Sequence, residues 1–479
     1  MTKKNSIIII ILLFALSAKG QTIGHVTVKT WPNDMKSAFS FTFDDCFKSQ
    51  YDYALPVLNS FGFKGTFYVI AEEPTEQGEP LNWRYATWDQ FREIAQQGHE
   101  IGSHSMTHPH LQTLQTGDIN TPNTIYYELY QSKKLIENKI PGIKVITFAY
   151  PYTEYNPTVI SIAGQYYEAS RRGNGIPNNS VITGTDWQKI NSYEVQFNLP
   201  RDIVNDDNDE LNEIENTLQN EVIDNGKWGM LFAHEVLPFS QIPDAVAAGY
   251  WYPMSTEWLN AFCQWMKNKS DNNDIWVNTV ANVTKYIKER ENFVANVVSV
   301  TDTLIVLSLT DNLDDTIFNY PLTLDIQVPS VWETVLIKQG GITIPTDSIF
   351  VAGNNTYVRT KIIPDAGNIS LKKDATTGIA INNNIPIEYK LMQNYPNPFN
   401  PSTKIGYIIP FESKVSIKIF NLLGQEIKEL QGSTESAGYH EVLFNASNLA
   451  SGIYFYKIVA ISTNGKNIFV DTKKLNFTK

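Results

Sequence analysis

Ala38-Phe39-Ser40-Phe41-Thr42-Phe43-Asp44-Asp45 is an apolar run that ends in two adjacent carboxylates. Short apolar stretches of this kind, bounded by polar residues, form strands, and Ala38–Asp44 reads as one. The pattern returns at Gly65–Ile70, His99–Ser103, Val145–Ala149, Trp228–Ala233 and Ile275–Thr279. Between these, Trp88–Gln97, Thr124–Asn138, Glu210–Ile223 and Thr256–Lys267 carry apolar residues at the i, i+3, i+4 spacing of amphipathic helices. About seven or eight such units between Ser37 and Glu291 predict an α/β barrel. In that architecture the C-terminal strand ends form the active face, so Asp44 and Asp45 stand where chemistry is done.

Outward from this block the pattern changes. From Asn292 to Lys373 the helical period vanishes and alternation replaces it, as in Leu304–Leu309, Leu322–Val328 and Thr334–Lys338, which predicts a small all-β domain. Residues 374–386, with Asn382, Asn383 and Asn384, read as a linker, and a second β module fills 387–479. At the other end, Lys3 and Lys4 precede an apolar run from Ile7 to Leu16 and the small residues Ala18 and Gly20, the pattern of a signal peptide over 1–20. The run is too short to span a hydrocarbon core of about 30 Å, so the mature chain is expected to have no transmembrane segment. The barrel is then assigned to 21–291.

Composition narrows the function. The 479 residues, at roughly 100–200 per domain, suit about three domains. Hydrophobic residues at 42% and charged residues at 18% are ordinary globular usage, which argues against wholesale disorder and against a multi-span membrane protein. A net charge of −12 without a basic stripe excludes nucleic acid as a natural partner. With only Cys46 and Cys263, at most one bridge is possible and no disulfide framework supports the fold.

Three rim segments could carry chemistry. Asp44 and Asp45 repel each other unless a proton or cation intervenes, and they converge only if the strand ends there. A solvated acidic turn would look the same. His104-Ser105-Met106-Thr107-His108 follows another strand; an i, i+4 pair lies on one side of a helical turn and suits Zn²⁺ when a carboxylate completes the set, although HxxxH alone is weak evidence. His234, in Leu231-Phe232-Ala233-His234, stands beyond a third strand, where a hydrogen-bonded rim His without chemistry is equally at home.

Taken in order with Phe148-Ala149-Tyr150-Pro151-Tyr152, these motifs resemble the polysaccharide deacetylases, the NodB-homology group or carbohydrate esterase family 4, over roughly Trp31 to Glu291. The resemblance implies a distorted (β/α)7-type barrel with one divalent metal, Zn before Co or Mn. It implies Asp45, His104 and His108 as metal ligands, Asp44 as catalytic base, His234 as general acid, the Tyr152 backbone N–H as oxyanion donor and Leu231 as a wall of the acetyl pocket. Asp186-Trp187 resembles a further motif, whose Asp holds the catalytic His and whose Trp walls the pocket. The sequence departs from the pattern twice: Cys46 replaces the usual Gly after the second Asp, and Ala149 replaces an Arg that orients the base. Arg171 or Arg172 could supply that cation from a neighbouring strand end. Cys46 is expected to be a buried bystander, since a fourth protein ligand would close the metal shell.

The tail has its own signature. Asn394-Tyr395-Pro396-Asn397-Pro398-Phe399-Asn400-Pro401, the strand-like Lys404–Ile409 and Lys414–Asn421, and Leu449-Ala450-Ser451-Gly452-Ile453-Tyr454-Phe455-Tyr456 resemble the sorting domain read by the type IX secretion system. The expectation is a secreted or surface-attached, metal-dependent deacetylase of an acetylated polysaccharide or oligosaccharide. An O-acetyl esterase and a non-catalytic glycan-binding protein are the alternatives. Trp83, Tyr85, Trp251 and Tyr252, on the loops Glu72–Tyr85 and Pro238–Tyr252, could stack on sugars or pack in the core.

Overall fold

The computed structural model describes residues 23–76, 83–195, 206–374, 389–392, 394, 397–422, 424–435, 438–447, 449–463 and 468–478. The expected signal segment and the linker beyond Asp374 lie outside the described residues, as does part of the Glu72–Tyr85 loop.

Eight parallel strands build the first unit: β1 (Ser37–Phe43), β2 (Gly65–Val69), β3 (Glu100–Ser103), β4 (Thr147–Ala149), β5 (Ala169–Gly173), β6 (Ile190–Glu194), β7 (Trp228–Ala233) and β8 (Ile275–Val277). The first seven close into a ring in chain order, because β7 pairs with β1 over Ala38↔Trp228 to Phe43↔Ala233. β1 is shared three ways. Its beginning pairs with β8 (Ile275↔Ser37) and its end with β2 (Phe41↔Gly65), so β8 wedges in at the floor and distorts the barrel. Two of the strands, β5 and β6, carry Arg171, Arg172, Asn191 and Ser192 and lack an apolar run, which is why the pattern of the sequence reveals neither.

Helices α1 (Leu55–Phe61), α2 (Trp88–Gln96), α3 (Ile125–Lys139), α4 (Pro157–Tyr166), α5 (Asp206–Thr217), α6 (Thr256–Asp271) and α7 (Val280–Asn292) cover the ring. Local signals set their ends: Thr87 and Gln90 form a capping box at α2, and Asn156, Ser255 and Thr279 accept the N3 amide of α4, α6 and α7. The wall residues Phe41, Phe43, Leu231 and Ala233 pack with Trp258, Leu259 and Phe262 of α6 in the main core. Cys46 and Cys263 are both buried and free.

A second core joins the barrel floor to the middle β unit. Trp31, Trp187, Trp228, Trp276 and Tyr286 pack with Ile305, Leu324, Ile326 and Leu371 in one continuous cluster. The middle unit has a four-stranded sheet (Val26–Val28, Leu322–Val328, Asn355–Ile362, Ser348–Ala352) and a five-stranded one (Val294–Val300, Leu304–Thr310, Ile369–Lys373, Val335–Gln339, Ile342–Ile344). Val26–Val28 pairs antiparallel with Leu324–Ile326, so this segment, grouped by sequence with the barrel in 21–291, joins the sheet of the following unit. The C-terminal module is a separate β structure of three- and four-stranded sheets around Ile405, Tyr407, Ile417, Tyr456 and Phe477.

Glu289 of α7 is fully buried at the barrel–β seam, where it accepts the Tyr320 N–H at 2.8 Å. Burial, with that hydrogen bond opposing it, pushes its carboxyl up to about 8. The folded chain therefore keeps a proton that the unfolded chain has released, and the stability this contributes is complete below the unfolded pKa and lost as pH rises toward about 8. Glu289→Gln keeps the acceptor and cannot ionise. Calorimetric melting midpoints of the two chains should coincide near pH ~4 and separate by several degrees near pH ~8, with the variant higher.

Candidate active site

Asp44 continues the barrel ladder, its amide donating to Ala233 O at 2.9 Å, and the chain then turns sharply, with φ +68° at Asp45 and +53° at Cys46. This turn lets adjacent carboxylates converge despite the strand period of two. It also holds Cys46 in a backbone region that suits glycine, the residue the deacetylase pattern has there. Cys46 is fully buried, and burial first, then the Asp45 charge, raises its thiol, so it is an inert wall residue.

His104 and His108 reach the same point from the loop after β3. Sequence spacing suggested a helical turn; the segment is instead a tight loop with positive φ at Ser105 and His108. Glu128 of α3, fully buried, shapes it by accepting the amides of Met106 (3.0 Å) and Thr107 (2.9 Å) and the Thr107 hydroxyl (2.9 Å). His108 N–H donates to Ser105 Oγ at 2.9 Å. His104 Nδ1 lies 2.8 Å from Ala149 O, which directs Nε2 inward.

The three side chains meet: Asp45 Oδ1 is 3.3 Å from His104 Nε2 and 3.4 Å from His108 Nε2, and the two nitrogens are 3.2 Å apart. Burial first, then the His104 charge, lowers His108 to about 4, keeping that imidazole neutral. Burial alone would raise Asp45, but the hydrogen bond and charge of His104, with His234 and His108, hold it well below the usual carboxylate range. One carboxylate oxygen and two inward Nε2 atoms at mutual contact distance form a donor set that fits a divalent cation of the Zn, Co or Mn kind.

Beside them, Asp44 is 3% exposed and its Oδ2 is gripped by the Arg171 guanidinium, itself 1% exposed. Arg171 also donates to Ser192 Oγ at 3.0 Å and sits 4.3 Å over the Phe232 ring. Asp44 Oδ1 is buried and accepts no hydrogen bond from the described residues. Arg171 is the register partner of Ala149 on the next strand, so a cation absent from one strand is present on its neighbour. Arg172, one residue on, points away to Asn191 Oδ1 (3.0 Å) and the Tyr155 hydroxyl.

His234 follows β7 with Nε2 at 3.8 Å from Asp45 Oδ2 and Nδ1 at 3.2 Å from Glu194 Oε1. Burial opposes its charge, but the Glu194 hydrogen bond and the carboxylates of Asp45 and Asp44 push it up to about 8. Glu194, at the C-terminal end of β6, was missed in the sequence; it also accepts the Trp251 indole N–H at 3.0 Å. Gln50, buried too, ties the rim together by donating to the carbonyls of Asp44 and His234.

Asp186 and Trp187 are not part of this cluster. They lie before β6, at the barrel floor, where Asp186 pairs with Lys189 at 2.9 Å and Trp187 joins the second core. The short motif falls at the wrong end of its strand. Leu231 is also displaced: counting back from His234 by twos reaches Phe232, so Phe232 faces Arg171 inside while Leu231 packs outward with α6. Tyr152 lies at the rim, φ +55°, its ring 4.6 Å from His108 and stacked on His110 at 4.0 Å.

A model of the family described as polysaccharide deacetylase matches residues 32–167, the stretch that supplies Asp44, Asp45, His104 and His108. The chain carries a polysaccharide deacetylase domain. A second family, the secretion system C-terminal sorting domain, matches residues 393–471. Arg171, Glu194 and His234 lie beyond the matched part of the deacetylase domain. Among curated proteins, the chain is similar to a gellan lyase of Bacillus sp, 28% identical over 376 residues, covering 76% of this chain and 14% of that one. It is also similar to a Bacillus subtilis (strain 168) protein whose name places it among polysaccharide deacetylases, 32% identical over 122 residues, covering 26% and 39%. The matches thus span well under two thirds of either relative. A solved structure of a mutant CE4 family pseudoenzyme with restored activity overlaps 53% of this chain and 69% of its own, with 17% identity and a TM-score of 0.31. Among the described residues no helix is long and apolar enough to cross a membrane.

The adjacent arginines of β5, Arg171 and Arg172, give a direct test of this geometry. Arg171→Ala leaves a buried carboxylate uncompensated and should cost about 3–5 kcal/mol in urea unfolding. Arg172→Ala should cost about 1 kcal/mol or less.

Proposed function

We propose that this chain is a metal-dependent deacetylase that hydrolyses N-acetyl groups of a glycan and releases acetate. The observation that carries the reading is the convergence of Asp45, His104 and His108 beside a buried Asp44 whose Oδ1 is unengaged while Arg171 holds its Oδ2.

Asp45, His104 and His108 would hold the cation. A divalent ion there supplies Lewis acidity, polarising the acyl oxygen and lowering the pKa of water. Asp44 Oδ1 takes the proton of the attacking water while Arg171 holds Oδ2 in place. As the C–O bond forms and the C–N bond breaks, His234 Nε2 gives its proton to the departing nitrogen, which would otherwise leave as a poor amide anion. Glu194 at Nδ1 fixes the ring so that Nε2 faces the reaction. The Tyr152 backbone N–H is the candidate donor to the developing oxyanion. Leu231, Asp186 and Trp187 have no part in this scheme.

The sorting domain supports export by the type IX secretion machinery and a secreted or surface-attached final state, with an acetylated polysaccharide or oligosaccharide as the substrate met there.

Dialysis against a zinc chelator is expected to abolish acetate release from acetylated glycans, and added Zn²⁺ to restore it; acetate yield unchanged after metal removal would overturn the metal assignment. His234→Ala should lower amide turnover about 10²- to 10⁴-fold while sparing much of the hydrolysis of O-acetyl esters, whose alkoxide leaves with less help. Parent activity on acetylated xylan alone would make the chain an O-acetyl esterase. Tight metal binding with no acetate from any glycan would make it a binding protein.

A further inference from the structure

A cavity of about 810 Å³, walled in part by Glu235, the residue after His234, is not used by the proposed chemistry. Its walls are the helical segment 48–53, which follows the Asp45 turn, the segment 235–250, which follows His234, and the stretch 83–90. We propose that this cavity is a sugar subsite that takes a neutral or amino-bearing hexose unit and disfavours uronates; the assignment rests on the deacetylase reading for its place in the reaction.

Glu235, the residue after His234, is the first argument. It is 1% exposed and lies on the cavity wall, and its Oε1 accepts both Nε (3.2 Å) and Nη2 (2.7 Å) of Arg84. Its Oε2 is buried and meets no donor among the described residues. Through Oε1, Glu235 fixes the Arg84 side chain between Phe47 and Tyr250 and brings a carboxylate to this wall. Aromatic platforms are the second argument. Trp83 is 73% exposed at the cavity edge, and the Tyr85 ring is held by stacking on Phe47 at 5.6 Å. The Arg84 guanidinium sits 4.6 Å from the Phe47 ring and 4.7 Å from that of Tyr250, so two walls are locked before a ligand arrives. Exposed ring faces suit the apolar faces of sugars. Charge is the third. Lys48 is paired with Asp52 and Arg84 with Glu235, and Asp244 adds a carboxylate in excess. A uronate would meet repulsion here, and an amine attraction.

Calorimetric titration of the full chain carrying Asp44→Asn, which halts turnover, tests this with three tetramers: fully acetylated chitotetraose, its partly deacetylated form and tetragalacturonate. The expected order is partly deacetylated at least as tight as acetylated, with tetragalacturonate at least about tenfold weaker. Trp83→Ala should weaken chitotetraose binding about fivefold to tenfold, and Trp83→Phe should recover most of it. Glu235→Gln should erase the advantage of the amine-bearing tetramer. Because that change also disturbs Arg84, the exposed Trp83 provides the arm that leaves the fold untouched. Tetragalacturonate binding as tightly as the others, Kd values within twofold in every variant, or no binding of any tetramer overturns the subsite. Acetate release by the parent chain is scored separately: its absence with the binding pattern intact removes the deacetylase reading and leaves the subsite standing.

Discussion

A carboxylate buried to 3% exposure is costly unless a cation pairs with it, and Asp44 has one in Arg171, itself 1% exposed. This pair constrains much of the barrel. Arg171 reaches Asp44 because β5 runs parallel to β4 with Ala149 opposite Arg171, and because Phe232 and Ser192 on β7 and β6 hold the guanidinium from two more sides. Side chains from β6 and β7 thus hold the β5 guanidinium that grips one oxygen of Asp44, and the opposite oxygen accepts no hydrogen bond from the described residues. A different register at β5 would exchange Arg171 for Arg172, and the throat would hold an uncompensated carboxylate.

Around that pair the rim is built from residues in unfavourable backbone conformations. Asp45, Cys46, Ser105, His108 and Tyr152 all have positive φ without being glycine. Each such residue costs free energy, and such residues persist where surrounding contacts over-determine them. Here the contacts are specific: Glu128 accepts three donors from the Met106–Thr107 turn, and Gln50 bridges the Asp44 and His234 carbonyls. These buried polar residues are the supports that keep the Asp45, His104 and His108 donors within contact of one another.

The parts legible in the sequence were those carried by period and by strand ends. Apolar strands β1, β2 and β7, the helices α2, α3, α5 and α6 and the rim positions of Asp44, Asp45, His104, His108 and His234 follow from local pattern, whereas α1, α4 and α7 were not read. β5 and β6 do not, because their inward residues are Arg171 and Ser192 and contribute no hydrophobic signal. Glu194 and Glu128 were invisible for the same reason: a lone acid on a strand end or helix reads as solvated surface until its neighbours are known. Alternation alone, applied backward from His234, would have replaced Leu231 by Phe232. The floor position of Asp186-Trp187 needed the direction of β6, which a short motif does not encode.

The two ends of the barrel differ in what holds them, and this bears on which parts can move. At the floor, Trp31, Trp228, Trp276 and Tyr286 are packed into a core shared with the middle β unit, and β8 wedges against β1, so the strand starts are held by apolar burial. At the mouth, the corresponding space is bounded by loops whose contacts are polar or aromatic and partly open, such as Trp251 on Glu194 and Arg84 between Phe47 and Tyr250. Local opening draws on regions with few buried apolar contacts. The middle β unit therefore bears on the site at a distance, by burying the strand starts in a shared apolar core while the loops at the mouth are held by fewer buried contacts.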